Sequence, residues 1–347
     1  MDERCGVMKS AGSTLKYIAG ELGVSVSTVS RALNGKSVVK EETRQRIEEA
    51  ARKYNYTPNE IARSLQKSST QTIAVVLPDI SENFFGNIVK EIERTVAREG
   101  YMIILADTHE KASKEQKYLD MLFKRRTDAL VLATVDLSGQ SVANFLSRGV
   151  PVVFIDNVPE LGNIDAITVN NEMASYLAVE YLFSCGHRNI ATIIGSKEET
   201  TGTERLRGYR MALEKRGVAY TEDYVAYGDY KQESGYVAMN ELLDRREEKH
   251  FTAVYITSEK MTYGALRAIR DRGLNVPEDI SVVGFDIHNH TDDRRQKITT
   301  VCQPEELIGK RVGELLLKRL GSGEETFDSI RELLEPSLEK GDTVKKI

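Results

Sequence analysis

Apolar positions along the chain follow two rhythms. Between Leu15 and Tyr54 they recur at helical spacing. Leu15, Ile18, Ala19 and Leu22 share one face of LKYIAGEL, and Val29, Ala32 and Leu33 form an i, i+3, i+4 stripe in VSTVSRAL. A third helix is predicted from about Glu41 to Tyr54, where Val39, Ile47, Ala50 and Ala51 would close a small core. Thr14 is placed to cap the first helix, Gly23 to stop it, Ser25 to cap the second and Gly35 to end it. From Thr72 the rhythm changes. TIAVVLP, YMIILAD, ALVLAT, VPVVFID, NIATIIG, TAVYIT and SVVGFD are β-rich apolar runs, each followed by a helical segment. Such alternation predicts parallel, doubly wound sheets. Two sets, roughly 72–167 and 168–298, predict two lobes with a cleft between them.

The first unit carries its own chemistry. Two short helices joined by a tight glycine-containing turn form a helix-turn-helix, whose second helix enters the major groove of DNA. Its leading residues are Val26, Ser27 and Thr28, with Arg31 one turn on. Val26 suits a thymine methyl, Ser27 a base-edge hydrogen bond, and Arg31 a forked contact to guanine. A three-helix bundle used for protein contacts is the other reading of the same pattern. Downstream, Pro58 and Asn59 start a helix of about eight residues ending near Leu65, too short to stand alone in water. Leu65, on the face it shares with Ile61, either wedges between base pairs in the minor groove or packs as an ordinary linker residue.

In open α/β sheets ligands sit beyond the carboxyl ends of the strands. Phe84 and Phe85 follow the first strand and open a helix, Asp156 ends VPVVFID, and Arg205 opens the helix after NIATIIG. Tyr230 follows GD in YGDY, Ser258 and Glu259 follow TAVYIT, and Asp286 ends SVVGFD. An aromatic wall with a few carboxylates and one arginine suits a small polar molecule. Each residue alone has a duller reading, as core phenylalanine or helix-capping aspartate.

Charge sharpens the division. The chain of 347 residues has net charge -5, yet residues 1–68 hold 12 Lys+Arg against 8 Asp+Glu. A basic head on an acidic body is the distribution expected when only the head meets a polyanion. The overall mixture, 40% hydrophobic and 29% charged, is that of a globular protein, without an apolar run long enough for a membrane span. MDERCGVMKSAGS has no apolar leader-like stretch. Cys5, Cys185 and Cys302 lack CxxC spacing and fit reduced thiols, so a cytoplasmic location without a structural disulfide is expected.

No catalytic constellation emerges. GxGxxG after a strand, GxxxxGK[ST], GxSxG and HExxH are all missing from the sequence. FDIHNHTDD has two histidines and three carboxylates, a set that could ligate a metal but reads more simply as a solvated turn. Neither a metal nor a cofactor is expected. The stronger rival is a small-molecule receptor of the same two lobes with no DNA function.

The segments TLKYIAGELGVSVSTVSRALNG and VVKEETRQRIEEAARKYNYTPNEIARSL resemble the DNA-binding head and PNxxAxxL hinge of the LacI/GalR family of bacterial repressors. PDISENFFG, GHRNIA, GDYKQESGY, RDRGLNVPEDISVVGFD and TTVCQPEELIG extend the likeness along the body. The resemblance implies a helical head followed by two periplasmic-binding-protein-like lobes. It puts Val26, Ser27 and Arg31 at base-contacting positions and the hinge residues Asn59, Ala62 and Leu65 at the minor groove. Phosphate contacts are expected from Lys16 and from Lys40, Arg44 and Arg46. Effector contacts are implied for Phe84, Phe85, Asp156, Arg205, Tyr230, Ser258 and Asp286. The chain departs from relatives at Glu259, where aspartate is usual, and at Asn157, where arginine is frequent. It departs again in EETTGTE, where purine-responsive members hold a base-binding arginine.

The implied partners are a pseudo-palindromic operator, a second copy of the chain, and an effector that is a sugar or sugar derivative before a purine. A phosphorylated protein is a further partner in part of the family. The expected divisions are 1–13 as an extension, 14–57 as the head, 58–70 as the hinge, 71–167 plus 299–325 as lobe one, and 168–298 plus 326–347 as lobe two. EELIGKRVGELLLKRL is expected to return as a helix to the first lobe. The resemblance implies a dimer formed through both lobes; no leucine-heptad tail follows Leu320, so a tetramer held by a terminal coiled coil is not expected.

Overall fold

A computed structural model describes residues 15–33, 39–54, 56, 69–288, 296–321 and 328–347. The chain divides into two units, Met1–Thr70 and Gln71–Ile347.

In the first unit, α1 (Leu15–Leu22), α2 (Val26–Leu33) and α3 (Glu41–Lys53) bury the apolar stripe that the spacing predicts. Ile18, Val29 and Ile47 are fully buried at its centre, with Ala19, Ala32, Ala50 and Ala51 around them. Gly23 takes a positive φ of 66°, which lets the chain leave α1 while the Val24 N–H still reaches the Ala19 carbonyl at 3.0 Å. The Ser25 hydroxyl accepts the Thr28 N–H at 3.1 Å and caps α2. Glu21 on α1 accepts from Lys53 at 3.1 Å and from the Tyr54 hydroxyl at 2.8 Å, tying α1 to the end of α3.

The second unit alternates strand and helix. In chain order come β1 (Thr72–Leu77), α4 (Asn83–Val96), β2 (Met102–Asp107), α5 (Ala112–Lys124), β3 (Ala129–Leu132), α6 (Ala143–Ser147), β4 (Val152–Ile155) and β5 (Asp165–Val169). There follow α7 (Asn171–Ser184), β6 (Ile190–Ile194), α8 (Thr200–Lys215), β7 (Val225–Tyr227), α9 (Gln232–Lys249), β8 (Ala253–Ile256), α10 (Glu259–Asp271) and β9 (Ser281–Phe285). β10 (Thr299–Cys302), α11 (Glu305–Gly321), β11 (Arg331–Leu334) and β12 (Ser337–Glu339) complete the described elements.

Two six-stranded sheets result, ordered β11-β5-β4-β3-β1-β2 and β12-β10-β9-β8-β6-β7. Every pairing is parallel except β10 with β12. Helices cover both faces of a parallel sheet, so β1, β3, β4, β6, β8 and β9 are buried throughout and almost wholly apolar. Strand order reverses between β1 and β3 in one sheet and between β6 and β8 in the other. Those switch points are where such sheets open a crevice for ligand.

The lobe boundaries differ from the expected 167/168, 299–325 and 326–347. β5 runs to Val169 within the first sheet. β10, expected in the first lobe, pairs with β9 in the second. β11, expected in the second, pairs with β5 in the first, and β12 alone returns to the second. The chain therefore changes lobe near 170, 303 and 335. α11 does return to lobe one, packing on α4 with Gly309 and Gly313 against Ile88, Glu91 and Thr95. There Arg319 makes a buried two-pronged contact to Asp165 at 2.7 and 2.8 Å and also reaches the Asp328 carbonyl at 2.8 Å. No helix among the described residues is long and apolar enough to cross a membrane.

Candidate functional sites

On the head, α2 turns its apolar stripe inward and leaves a polar face without a single acidic side chain. Val26, Ser27 and Arg31 are exposed on that face and Thr28 is half-buried. Ser25 holds the Ser27 hydroxyl at 2.7 Å and the Thr28 hydroxyl at 2.8 Å, a hydroxyl cluster at the helix N-terminus, where backbone N–H groups favour anions. Lys16, Lys40 and Arg46 are exposed, while Arg44 is half-buried and lies 3.7 Å from Glu41. Tyr17, not foreseen from the sequence, is 47% exposed and meets Tyr54 edge-on at 5.1 Å. Asn59, Ala62 and Leu65 lie outside the described residues.

In the body, all seven residues expected at the effector site line one cavity of about 500 Å³ between the lobes. Phe84 and Phe85 sit in the first turn of α4 and meet edge to face at 5.0 Å. Arg205 lies in the second turn of α8 and does not open it as expected, since that helix begins at Thr200. Its Nε donates to the Asn171 Oδ1 at 2.9 Å, its Nη1 to the Thr257 carbonyl at 2.8 Å, and its guanidinium stacks 3.9 Å from the Phe285 ring. Ser258 caps α10 through the Met261 N–H at 3.3 Å. The Tyr230 ring lies so close over Gly195 that a Cβ there would meet it at 2.0 Å.

Asp156, Tyr230 and Asp286 all have positive φ, at 59°, 64° and 53°. Aspartate tolerates that region and tyrosine does so rarely. Such backbone concentrates where side chains are aimed at a ligand.

Burial governs the electrostatics of the cleft. It pushes the Asp286 carboxyl up to about 6, although Gln303 donates both its backbone N–H, at 2.8 Å, and its side-chain amide, at 2.6 Å. Asp156 is also raised by burial, against the pull of Arg205. Glu82 and Glu199 both rise to about 7, from burial first and from the charge of Asp156 second among the raising effects.

Several contacts that sequence spacing does not reveal cross the cleft. Lys260 reaches Asp79 at 2.6 Å and Glu82 at 3.4 Å, and Lys231 reaches Glu110 at 3.0 Å. Burial alone would raise Asp79, but hydrogen bonds from Lys260 and Ser81 outweigh it and bring that carboxyl down to about 2. Asn157 donates to Glu199 at 3.0 Å and accepts from the Thr200 hydroxyl at 2.9 Å. Asn83 bonds Glu259 at 3.2 Å. His288, from the FDIHNHTDD turn, lies 3.2 Å from Glu305 and 3.9 Å from Glu259, and these carboxylates raise it to about 10. Residues 289–295 of that turn are outside the described ones. Among the described residues no cluster of His, Cys, Asp and Glu could hold a metal ion.

A helix-turn-helix head and a two-lobed body with a ligand cleft define a DNA-binding regulator with a small-molecule sensor. Residues 70–335 match the family model for periplasmic binding proteins and the sugar binding domain of the LacI family, and residues 14–59 match that for bacterial regulatory proteins of the lacI family. The chain belongs to the LacI family of bacterial transcriptional regulators. It is similar to catabolite control protein A of Priestia megaterium, 33% identical over 317 residues covering 91% of this chain and 94% of that protein. Among solved structures it resembles the Lac repressor dimer bound to operator and the anti-inducer ONPF, with TM-score 0.82 and 27% identity over 96% of this chain and 99% of that one. It also resembles the transcriptional regulator CelR in complex with cellobiose, with TM-score 0.71 and 31% identity over 95% and 99%. The protein is accordingly a DNA-binding transcriptional repressor with an effector-binding domain, and the operator-binding reading displaces that of a receptor without DNA function.

Proposed function

We propose that the protein represses a carbon-source or other metabolic operon as a homodimer on a pseudo-palindromic operator, under control of a sugar or sugar derivative bound between the lobes. Each head reads one half-site through Val26, Ser27, Thr28 and Arg31, and Lys16, Lys40, Arg44 and Arg46 supply salt-dependent phosphate contacts. Asn59, Ala62 and Leu65 of paired hinge segments meet the minor groove at the centre. The observation that carries the DNA reading is the acid-free face of α2, anchored from behind by fully buried Val29. Phe84, Phe85, Asp156, Arg205, Tyr230, Ser258 and Asp286 hold the effector. A cavity rich in carboxylate acceptors beside aromatic rings supports a hydroxyl-bearing ligand over a purine. The effector shifts the lobes only by as much as its affinity differs between their two arrangements.

Selection of the purified protein on a random duplex library at about 0.15 M salt tests this reading, because non-specific contacts are already weakened there. Enrichment of a palindrome is the expected outcome, and its absence both with and without sugars overturns the proposal. Thermal shift with a panel of sugars and nucleobases separates the ligand classes, since a ligand that binds only the folded state raises its stability.

A further inference from the structure

The walls of the cleft are far more acidic than a neutral sugar requires. Nine carboxylate residues line it against three cations, Arg205, Lys231 and Lys260. Two of those cations are already engaged. Lys260 is held by Asp79 and Glu82, and Lys231 lies between Glu110 and Asp229, each at 3.0 Å. Arg205, 5% exposed, directs its Nε and Nη1 at a neutral amide and a carbonyl.

Asp156 from lobe one and Glu199 from lobe two meet at a single neutral group. The Asn157 amide nitrogen lies 3.3 Å from Asp156 and 3.0 Å from Glu199, and no ion pair to either carboxylate exists among the described residues. Glu82, which Lys260 pairs at 3.4 Å, lines the same cavity. Two carboxylates from opposing walls therefore meet at one amide, in a cavity of hexose-to-disaccharide size that Tyr230 and Phe84 also line. Charges brought together in a partly dry cleft repel unless a bound proton or a cation neutralises them. An anionic sugar phosphate would add to the repulsion.

We propose that the effector carries a protonated nitrogen beside its hydroxyls: an amino sugar, with its ammonium group seated between Asp156 and Glu199. The proposal rests on the reading of this cleft as the sugar-effector site and narrows it.

The seat has a proton-linked signature. Glu199 is faced by Asp156 and Glu110 and by the guanidinium of Arg205, and Glu82 by Asp156, Asp79 and Lys260. Without a bound cation, Glu82 and Glu199 retain protons near neutral pH. An ammonium group favours their ionised forms, so it enters with release of protons, and its affinity rises between about pH 5.5 and pH 7. A neutral hexose leaves those protons in place and shows no such dependence.

The test uses the full-length protein with three matched series: glucosamine, galactosamine and mannosamine, each beside its parent hexose and its N-acetyl derivative. Thermal shift identifies binders, and calorimetry in buffers of different ionisation enthalpy measures affinity and proton release. We expect one amine to bind at least about tenfold tighter than its hexose and N-acetyl partners, and to release protons. Glu199→Gln should remove that preference, with the amine losing at least about tenfold more affinity than its hexose partner. Binding of a hexose or N-acetyl sugar as tightly as its amine overturns the ammonium proposal and leaves the sugar-effector reading standing. Failure of every member of the three series to bind overturns both. The ligand comparison on the unaltered protein decides the matter even where the glutamine variant folds poorly.

Discussion

Replacing Arg319 with methionine should be among the most destabilising single changes in the body. The guanidinium and the Asp165 carboxylate have side chains only 5% and 10% exposed and meet through two bonds of 2.7 and 2.8 Å. The Asp165 Oδ1 also accepts the Ile330 N–H at 2.8 Å, so one carboxylate fastens α11 and the approach to β11 to the start of β5. Removing the arginine leaves a buried carboxylate with one backbone donor, and breaking such a pair costs about 3–5 kcal/mol. A body of this size unfolds with an entropy of about 0.6 kcal/mol/K, which converts the loss to a fall in Tm of about 5–9 °C. Scanning calorimetry, read on the body's own transition, measures it. The double variant Arg319→Met with Asp165→Asn removes the stranded charge and should regain at least about half of the loss. A methionine variant melting within about 2 °C of the parent would show that the pair is worth no more than a surface ion pair and refute the argument.

Arg31→Ala should relax base preference at one position of the half-site by about 1–3 kcal/mol, as read from binding to single-substitution operators; an unchanged preference at every position would remove Arg31 from the reading face. Leu65→Ala should weaken operator binding by far more than binding to random duplex, and equal loss on both would exclude an intercalating role. Gly195→Ala places a methyl 2.0 Å from the Tyr230 ring, so the ring must leave its position; the effector-induced rise in Tm should shrink while operator binding without effector persists. Glu82 and Glu199 are raised to about 7 and Asp286 to about 6, so between the ordinary carboxylate range and those values the folded body binds more protons than the unfolded chain. Stability from these groups therefore falls as pH rises through 6 and 7, and raised His288 acts in the same sense above its ordinary 6.5. The buried His187, pushed down, acts oppositely below that value. Glu199→Gln should flatten the decline in Tm between about pH 5 and pH 7, and an unaltered slope would contradict the raised carboxyl.

Much of this was readable in the apolar spacing because burial enforces it. A strand covered on both faces must be almost wholly apolar, which is why TIAVVL and SVVGF announce themselves. That Phe84, Phe85, Asp156, Arg205, Tyr230, Ser258 and Asp286 would line one cleft was readable because topology puts strand ends there. The crossings were not. β11 and β12 are short edge strands, RELL and SLE, with mostly exposed side chains, so neither periodicity nor propensity says which sheet each joins. β10, TTVC, is buried but only four residues long. Contacts across the cleft were equally hidden. Glu82, Asn83, Lys231 and Lys260 sit in helix caps and first turns, where charged and amide side chains are ordinary, and only the fold pairs them.

The three passages between lobes carry a mechanical consequence. A single tether would leave two bodies free to tumble; three side-by-side tethers hold them as the pins of a hinge hold a door. Sliding and separation are suppressed, and one swing about the line of tethers is left soft. A ligand wedged in the cleft needs only to set one angle. The same weave makes each lobe from two separated pieces of chain, so lobes cannot be exchanged between relatives by one cut and splice. A hybrid sensor would need all three seams, near 170, 303 and 335, cut at once.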